Sequence, residues 1–368
     1  MIARSINSNA PFIIPKRSRG LYADIDPHRK RGIRKRRDMR MAATILIAGG
    51  YGLVGGTMAR QLREAHKDVR IILAGRHPER GEALADELGN SSTMKLNLDE
   101  PSSLAALEDV DLIVAALKDP SDGLVEAALS KGAAHIGITK LADEIAPAVI
   151  AARSKSAARP IVLLGHWQAG VMTMAGIHAA ASFSRVDTIE MTALYDPLDP
   201  IGPMTAEDSA SFMGRALVRK DRVWSTVYSA NNTRQILLSE GNEAIGFPMG
   251  VLDVPSLAAV TGAASIRFDL TQGDSLGTRS GNRASHDLYI DIVGELRTGE
   301  SAKRRFVVSD PNGQAHLTAL GTLLAIERVL GLDGEPVVTG GVYFPESILS
   351  AEHVVARLSA SGVQIIEA

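Results

Sequence analysis

The 368-residue chain contains no cysteine. That absence excludes a disulfide framework, a thiolate zinc site, an iron–sulfur cluster and a cysteine nucleophile. It also fits a reducing compartment, so a cytoplasmic location is expected. Nothing in the sequence approaches the roughly 18 consecutive apolar residues of a membrane span, so no membrane partner is expected. Aromatic residues make up 4% of the chain, yet hydrophobic residues reach 45%, too many for a disordered chain. A chain of this length accommodates two domains and buries about 75% of its unfolded surface without a covalent or metal staple.

Charge is unevenly spread. Residues 1–40 hold 12 Lys and Arg against three Asp, while the rest holds 28 basic and 39 acidic residues. A basic tail can grip nucleic acid or serve as a targeting segment. Here the acidic body gives no help with nucleic acid. The tail lacks the apolar run of a signal peptide and has the acids that transit peptides avoid. No nucleic-acid partner is therefore expected, and residues 1–40 are read as disordered or as lying ahead of a true start at Met39 or Met41.

From Thr44 the chain alternates strand and helix. Apolar strands are predicted at Ile45–Ala48, Val69–Ala74, Met94–Leu98, Val110–Ala116, Ala134–Ile138 and Pro160–Leu164. Helices are expected between them, ending at Gly89 and Gly132 in two cases. Continuous apolar strands separated by amphipathic helices mean a parallel sheet covered on both faces. After Gly165 the rhythm changes. Longer strands are predicted at Val186–Leu194, Val223–Tyr228, Ile266–Leu270, Leu288–Glu295 and Arg304–Val308, with helices near Ala206–Leu217, Ala315–Leu330 and Ala351–Ser359. Thr271–Asp287 has loop composition: either a solvated hairpin loop or a mobile lid whose Arg279 or Arg283 meets an anionic substrate.

The expected fold class is α/β. It comprises a Rossmann doubly wound parallel sheet over 42–165 and an inserted α+β substrate or dimerisation domain over 166–314, built on a largely antiparallel sheet. Residues 315–368 are expected to return to the first domain. A homodimer is plausible through the antiparallel sheet.

The motif that carries most chemistry is Ile45-Leu46-Ile47-Ala48-Gly49-Gly50-Tyr51-Gly52-Leu53-Val54-Gly55-Gly56. Gly50, Gly52 and Gly55 fit G-x-G-x-x-G, and the motif follows a strand and opens a helix, the context that makes it a dinucleotide site. Gly50 is read as permitting the tight turn, Gly52 as letting backbone approach a pyrophosphate, and Gly55 as letting the helix pack on the sheet. Backbone N–H groups at Tyr51, Leu53 and Val54 then face the phosphates. No lysine follows Gly56, which argues against a phosphate-binding NTPase loop. The second strand ends at Arg76, where an NAD site usually has an acid about 20 residues after the glycines. A guanidinium suits a 2′-phosphate, so NADP is expected over NAD as cofactor.

No tyrosine is followed by lysine four residues on, which excludes the Y-x-x-x-K pair of short-chain dehydrogenases. The nine histidines show no metal-ligand spacing, and no metal is expected. Several segments instead resemble the saccharopine dehydrogenase-like family. They are the glycine turn followed by Leu73-Ala74-Gly75-Arg76, then Leu96–Asp99, Val110–Ala116 and Ala127–Ile138. The loop Gly165–Gly170 and the closing Gly340-Gly341-Val342-Tyr343-Phe344-Pro345-Glu346 complete the set. The resemblance implies a nicotinamide-dependent enzyme acting on a secondary amine, an imine or a carbonyl of a small polar substrate. Two positions depart from the family: Ala169-Gly170 replaces Pro-Gly, and Ile136–Lys140 lacks the usual acid.

Ligands of doubly wound sheets bind beyond the carboxyl ends of the strands. That places Ala115, Ala116, Thr139, Lys140 and Gly165–Gly170 around a nicotinamide. Lys140 and His166 are the candidate proton carriers or substrate contacts, and Tyr195 and Asp196 could face the cleft. The expected function is NADP-dependent hydride transfer. The alternative is a non-catalytic NADP(H) sensor of the same fold.

Overall fold

The computed structural model describes residues 43–107, 109–202, 214–238 and 241–367, and they form one compact unit. The basic tail lies outside the described residues. The first half is five β/α repeats and a sixth strand: β1 (Thr44–Ala48), α1 (Leu53–Ala65), β2 (Arg70–Gly75), α2 (Glu82–Leu88), β3 (Ser91–Lys95), α3 (Pro101–Ala105), β4 (Leu112–Ala115), α4 (Gly123–Lys131), β5 (Ala134–Gly137), α5 (Ala146–Ser154) and β6 (Pro160–Leu163). The third strand begins three residues before the apolar run that was expected to form it. β3 is an edge strand that opens on Ser91-Ser92-Thr93, none of its residues is buried, and the apolar Leu96 enters the core only after pairing ends. Edge position removes the hydrophobic signature on which the reading relied.

The second half runs α6 (Val171–Ala180), β7 (Phe183–Tyr195), β8 (Arg215–Lys220), β9 (Val223–Tyr228), β10 (Arg234–Leu237), β11 (Glu243–Pro248), α7 (Asp253–Thr261), β12 (Ser265–Gln272), α8 (Leu276–Arg279), β13 (His286–Leu296), β14 (Ser301–Asp310), α9 (Gln314–Leu330), β15 (Gly341–Tyr343), α10 (Pro345–Ile348), α11 (Ala351–Ala360) and β16 (Gln364–Glu367). The five long strands read from the sequence are present. The helix expected at Ala206–Leu217 falls mostly outside the described residues, and its end, Arg215–Leu217, is strand β8 instead. Short β8, β10 and β11 are not foreseen by the sequence reading, and each buries only one or two residues.

Two sheets result. The first is wholly parallel in the order β15-β6-β5-β4-β1-β2-β3. This is the doubly wound arrangement, with its switch point between β1 and β4. The second runs β10-β11-β12-β7-β13-β14-β16 with the β8–β9 hairpin attached to β12. It is antiparallel except for β12, which lies parallel to β7. The closing segment divides between the sheets: β15 extends the parallel sheet, whereas β16 pairs with β14 in the other.

Helix α9 joins the two layers. Its Leu317, Leu320 and Leu324 enter the core of the second sheet, while Ala319, Leu323, Ile326 and Val329 enter the core beside the first. A helix apolar around most of its circumference is stable only between two packed layers. No helix among the described residues is long and apolar enough to cross a membrane.

Candidate functional site

The glycine turn is built by close approach of main chain. Gly49 has φ of 82° and donates its N–H to Ala74 O at 2.8 Å. The residue of the turn with positive φ is therefore Gly49, one residue ahead of the G-x-G-x-x-G glycines. Gly50 is needed for a different reason: a Cβ there would lie 2.7 Å from Ile47 O. At Gly55 it would lie 2.2 Å from Gly49 O, whereas at Gly52 its nearest contact, again Gly49 O, is at 3.2 Å. Helix α1 starts after Gly52 with no side-chain cap and no acid in its first turn. The N–H groups of Leu53 and Val54 thus have no intrahelical acceptor.

Tyr51 packs under the end of β2. A Cβ on Gly75 or Gly81 would strike its ring, and its hydroxyl accepts the His77 N–H at 2.9 Å. Tyr51 thereby holds the turn that presents Arg76, which is exposed. Ala115 ends β4, and Ala116 donates its N–H to Ala48 O at 2.9 Å.

A cleft of about 370 Å³ opens beside this turn. Val54, Ala116, Lys118, Ile138, Thr139 and Leu141 line it from the parallel sheet. Tyr195, Met249, Val251, Leu270, Gln272 and His286 line it from the second sheet. Gly165–Ala169 cross its floor, and α9 adds Gln314 and Thr318. Three consecutive residues of that crossing have positive φ: Gln168 at 53°, Ala169 at 51° and Gly170 at 96°. Two non-glycine residues in this region cost about 1–3 kcal/mol each, strain that clusters at functional sites. Packing enforces the bend. Gly165 leaves no room for a side chain against Lys140 O, and Gly321 of α9 lets the Gln168 carbonyl approach to within 2.6 Å of where a Cβ would be.

The candidates Lys140 and His166 have different surroundings. The ammonium of Lys140 is paired with Asp122 at 2.8 Å and donates to Asp119 O at 3.1 Å, so its backbone neighbours line the cleft while its charge faces the β4–α4 loop. Asp119 in turn caps α4 through the N–H groups of Gly123 and Leu124. His166 does line the cleft. Its Nε2 is 2.9 Å from Ser256 Oγ, and its Nδ1 has no hydrogen-bond partner among the described residues. Burial drops its pKa to about 3, so the ring is neutral.

Behind His166 lie two carboxyl groups that the sequence did not bring to notice. Asp253 accepts from Trp167 N and Thr173 Oγ1, each at 2.7 Å, and burial pushes it up to about 7. Glu346 Oε2 is 3.8 Å from His166 Nε2, and burial raises its pKa as well. On the other side His286 Nε2 accepts the Trp167 indole N–H at 3.1 Å, with the Gln168 amide nitrogen at 2.8 Å. His286 Nδ1 faces Asp199 at 3.8 Å, and burial raises Asp199 to about 6. His286, Gln168, Asp199 and Asp253 come from four distant segments, and no spacing in the sequence links them. Tyr195 is in the lining as expected; Asp196 is buried elsewhere.

Thr271–Asp287 is more ordered than its composition suggests, with Gln272, Asp274 and residues 280–283 exposed and much of the rest packed. It holds the end of β12, α8 and the start of β13, tied down by Asp196, which accepts from Ser275 N and Thr278 Oγ1, and by Asp287, which accepts from Leu276 N and Ser309 Oγ. Buried acids and serines, invisible as a pattern, replace the apolar residues that would have marked it as core. Arg283 lines a second cavity beside α1 together with Leu53, Thr57 and Asp199, and Arg279 lines neither.

The parallel sheet, the glycine turn at its switch point and the cleft beyond its carboxyl ends define a doubly wound fold with a turn of the dinucleotide-binding kind. Comparison with known proteins makes this narrower. Residues 45–163 match the family model of the saccharopine dehydrogenase NADP binding domain. The apo saccharopine dehydrogenase (L-Glu forming) of Saccharomyces cerevisiae shares the fold, with a TM-score of 0.61 at 14% identity over 89% of this chain and 99% of that one. Among other solved structures are GenD2 from gentamicin A biosynthesis in complex with NAD (TM-score 0.47, 15% identity, 90% of this chain and 97% of that one) and an amine dehydrogenase from Mycobacterium smegmatis (0.47, 13%, 84% and 95%). No curated protein matches the sequence. Residues 45–163 are thus similar in sequence to that NADP binding domain, and the chain shares its overall fold with the yeast enzyme.

Proposed function

We propose that this protein is an NADP-preferring oxidoreductase that moves a hydride between nicotinamide and an amine, imine or carbonyl carbon in the cleft. The observation that carries this reading is the shared border of turn and cleft: Val54 in the first turn of α1 and Ala116 after β4 belong to the lining. The residues fit the cofactor. An uncapped helix start without acids, and glycines whose side chains would collide with main chain, form a cradle for a pyrophosphate. Gly50, Tyr51, Gly52, Leu53, Val54 and Gly55 hold the phosphates through backbone, Arg76 pairs with a 2′-phosphate, and Ala115 and Ala116 abut the nicotinamide side.

Bound nicotinamide supplies or accepts the hydride; the chain has to position the substrate and move one proton. His166 takes that role, because it is neutral, lines the cleft and has one unpartnered ring nitrogen. Lys140 holds the loop 117–122 through Asp122 and Asp119. Apolar side chains on both walls exclude water.

The test is a fluorescence titration of the full chain with NADPH and NADH, read through Trp167 in the cleft floor. NADPH is expected to bind more tightly than NADH. A screen of imines and keto acids, followed by loss of NADPH absorbance, then separates an enzyme from a sensor that binds without turnover. Failure of both nucleotides to bind overturns the proposal.

A further inference from the structure

We propose that the cleft takes a substrate with an apolar body and no more than one anionic group, its polarity confined to the reacting carbon and its nitrogen or oxygen. This rests on the oxidoreductase reading above and narrows the polar substrate implied by the family resemblance. Away from the strained crossing, aliphatic side chains stand on both walls, Ile138 and Leu141 on one and Met249, Val251 and Leu270 on the other, and apart from Lys118 the polar groups among them, such as Thr139, Gln272 and Thr318, are uncharged. Among the described lining residues there is no arginine, and Lys118 is the one lysine. Residues 203–213, which follow Ile201 in the chain, contain neither residue type.

Carboxylates in protein sites are met by guanidinium forks or ammonium groups. The lining's two histidines give no cation, since burial keeps both neutral. Behind His166 the carboxyl groups of Asp253 and Glu346 can only add negative charge. A di- or tricarboxylate would meet at most one ammonium and would set the rest of its charge among aliphatic and uncharged polar side chains, losing hydration without a countercharge. An apolar body instead releases water from five side chains, which favours binding by about fourfold per methylene buried.

The test is calorimetric titration of the NADP-loaded full chain with two unreactive acids. Phenylbutanoate has one carboxylate and an apolar tail; glutarate has two carboxylates and a short chain. Phenylbutanoate is expected to bind at least about tenfold more tightly, and Leu141→Gln and Leu270→Gln each to weaken it about fivefold without changing glutarate. Unaltered NADPH affinity shows that each variant is folded. Glutarate binding as tight or tighter, no binding of phenylbutanoate, or no response to either substitution overturns the inference. If neither NADP(H) nor NAD(H) binds, the oxidoreductase reading falls by itself. The same two acids then still test the cleft on the unloaded chain.

Discussion

The wall of the cleft that comes from the glycine turn presents main chain, whereas the floor and opposite wall present side chains. At the turn, Gly49, Gly50 and Gly55 work by having nothing beyond Cα, and the groups offered to a ligand are peptide N–H groups. Across the floor and the opposite wall, His166, Gln168 and His286 are each fixed by a partner from a remote segment, and Asp253 beneath them holds Trp167 N. A backbone site tolerates almost no change in three or four positions and is indifferent to its surroundings. A side-chain site depends on residues spread over the chain, each of which can be exchanged singly. The first kind suits a cofactor common to many proteins, and the second a substrate particular to one.

Substitution at Gly55 breaks the comparison most sharply. Gly55→Ala puts a carbon 2.2 Å from Gly49 O, with no flexible group to yield. Dinucleotide binding is expected to fall at least about 1000-fold, or about 4 kcal/mol, in a nucleotide titration. Gly52→Ala, whose new carbon meets only Gly49 O at 3.2 Å, is expected to keep its fold by circular dichroism, so that its loss of affinity comes from the methyl group standing where the pyrophosphate approaches.

The floor predicts the opposite pattern. His166→Gln removes the ring beside Ser256 and is expected to lower kcat about 100-fold while leaving NADPH affinity unchanged. Parallel loss of kcat and nucleotide binding would instead make His166 a packing residue.

Beneath the floor the effect is on stability and its pH dependence. Asp253 is held at about 7 when folded and lies near the ordinary aspartate value when unfolded. Between those values the folded chain keeps a proton that the unfolded chain has lost, so this group's contribution falls as pH rises and levels off above about 7. His135, His166 and His286, held at about 3, act in the reverse sense: below the usual histidine range the unfolded chain takes up protons and stability falls with acid. Asp253→Asn isolates the first trend. Relative to the parent, it should gain on the order of 2 kcal/mol between pH 5 and pH 8 in denaturant unfolding. A constant difference would mean that Asp253 ionises freely.

The same contrast explains what was legible in the sequence. Gly50, Gly52 and Gly55 are close in the chain because a tight turn is local, so the cofactor wall and the parallel sheet around it could be read directly. Five long strands of the second sheet were also legible, since β7 and β13 bury long runs of apolar residues. What failed was structure held by polar burial or by remote contact. Asp196, Ser275 and Asp287 turn a loop-like composition into a packed corner. Asp253 and His286 lie 87 and 120 residues from His166, and only the packing of α6, α7 and β13 brings them to one place. Gly49 was overlooked because the motif names spacing, not the sign of φ.

Arg76 lies between the two kinds of site, and its substitution has the smallest expected effect. It is a side chain, but it stands at the end of β2 on a turn that Tyr51 clamps through Gly75, Gly81 and His77 N. Its guanidinium is exposed, so any pairing with a 2′-phosphate is made partly in water and screened by salt. Arg76→Ala should therefore weaken NADPH about tenfold, about 1.4 kcal/mol, and leave NADH unchanged in the fluorescence titration. The ratio of the two affinities should approach one. Raising the salt concentration should shrink the parent's preference toward that of the variant. Equal weakening of both nucleotides would place Arg76 against the adenine rather than the phosphate, and with it the preference for NADP would lose its basis.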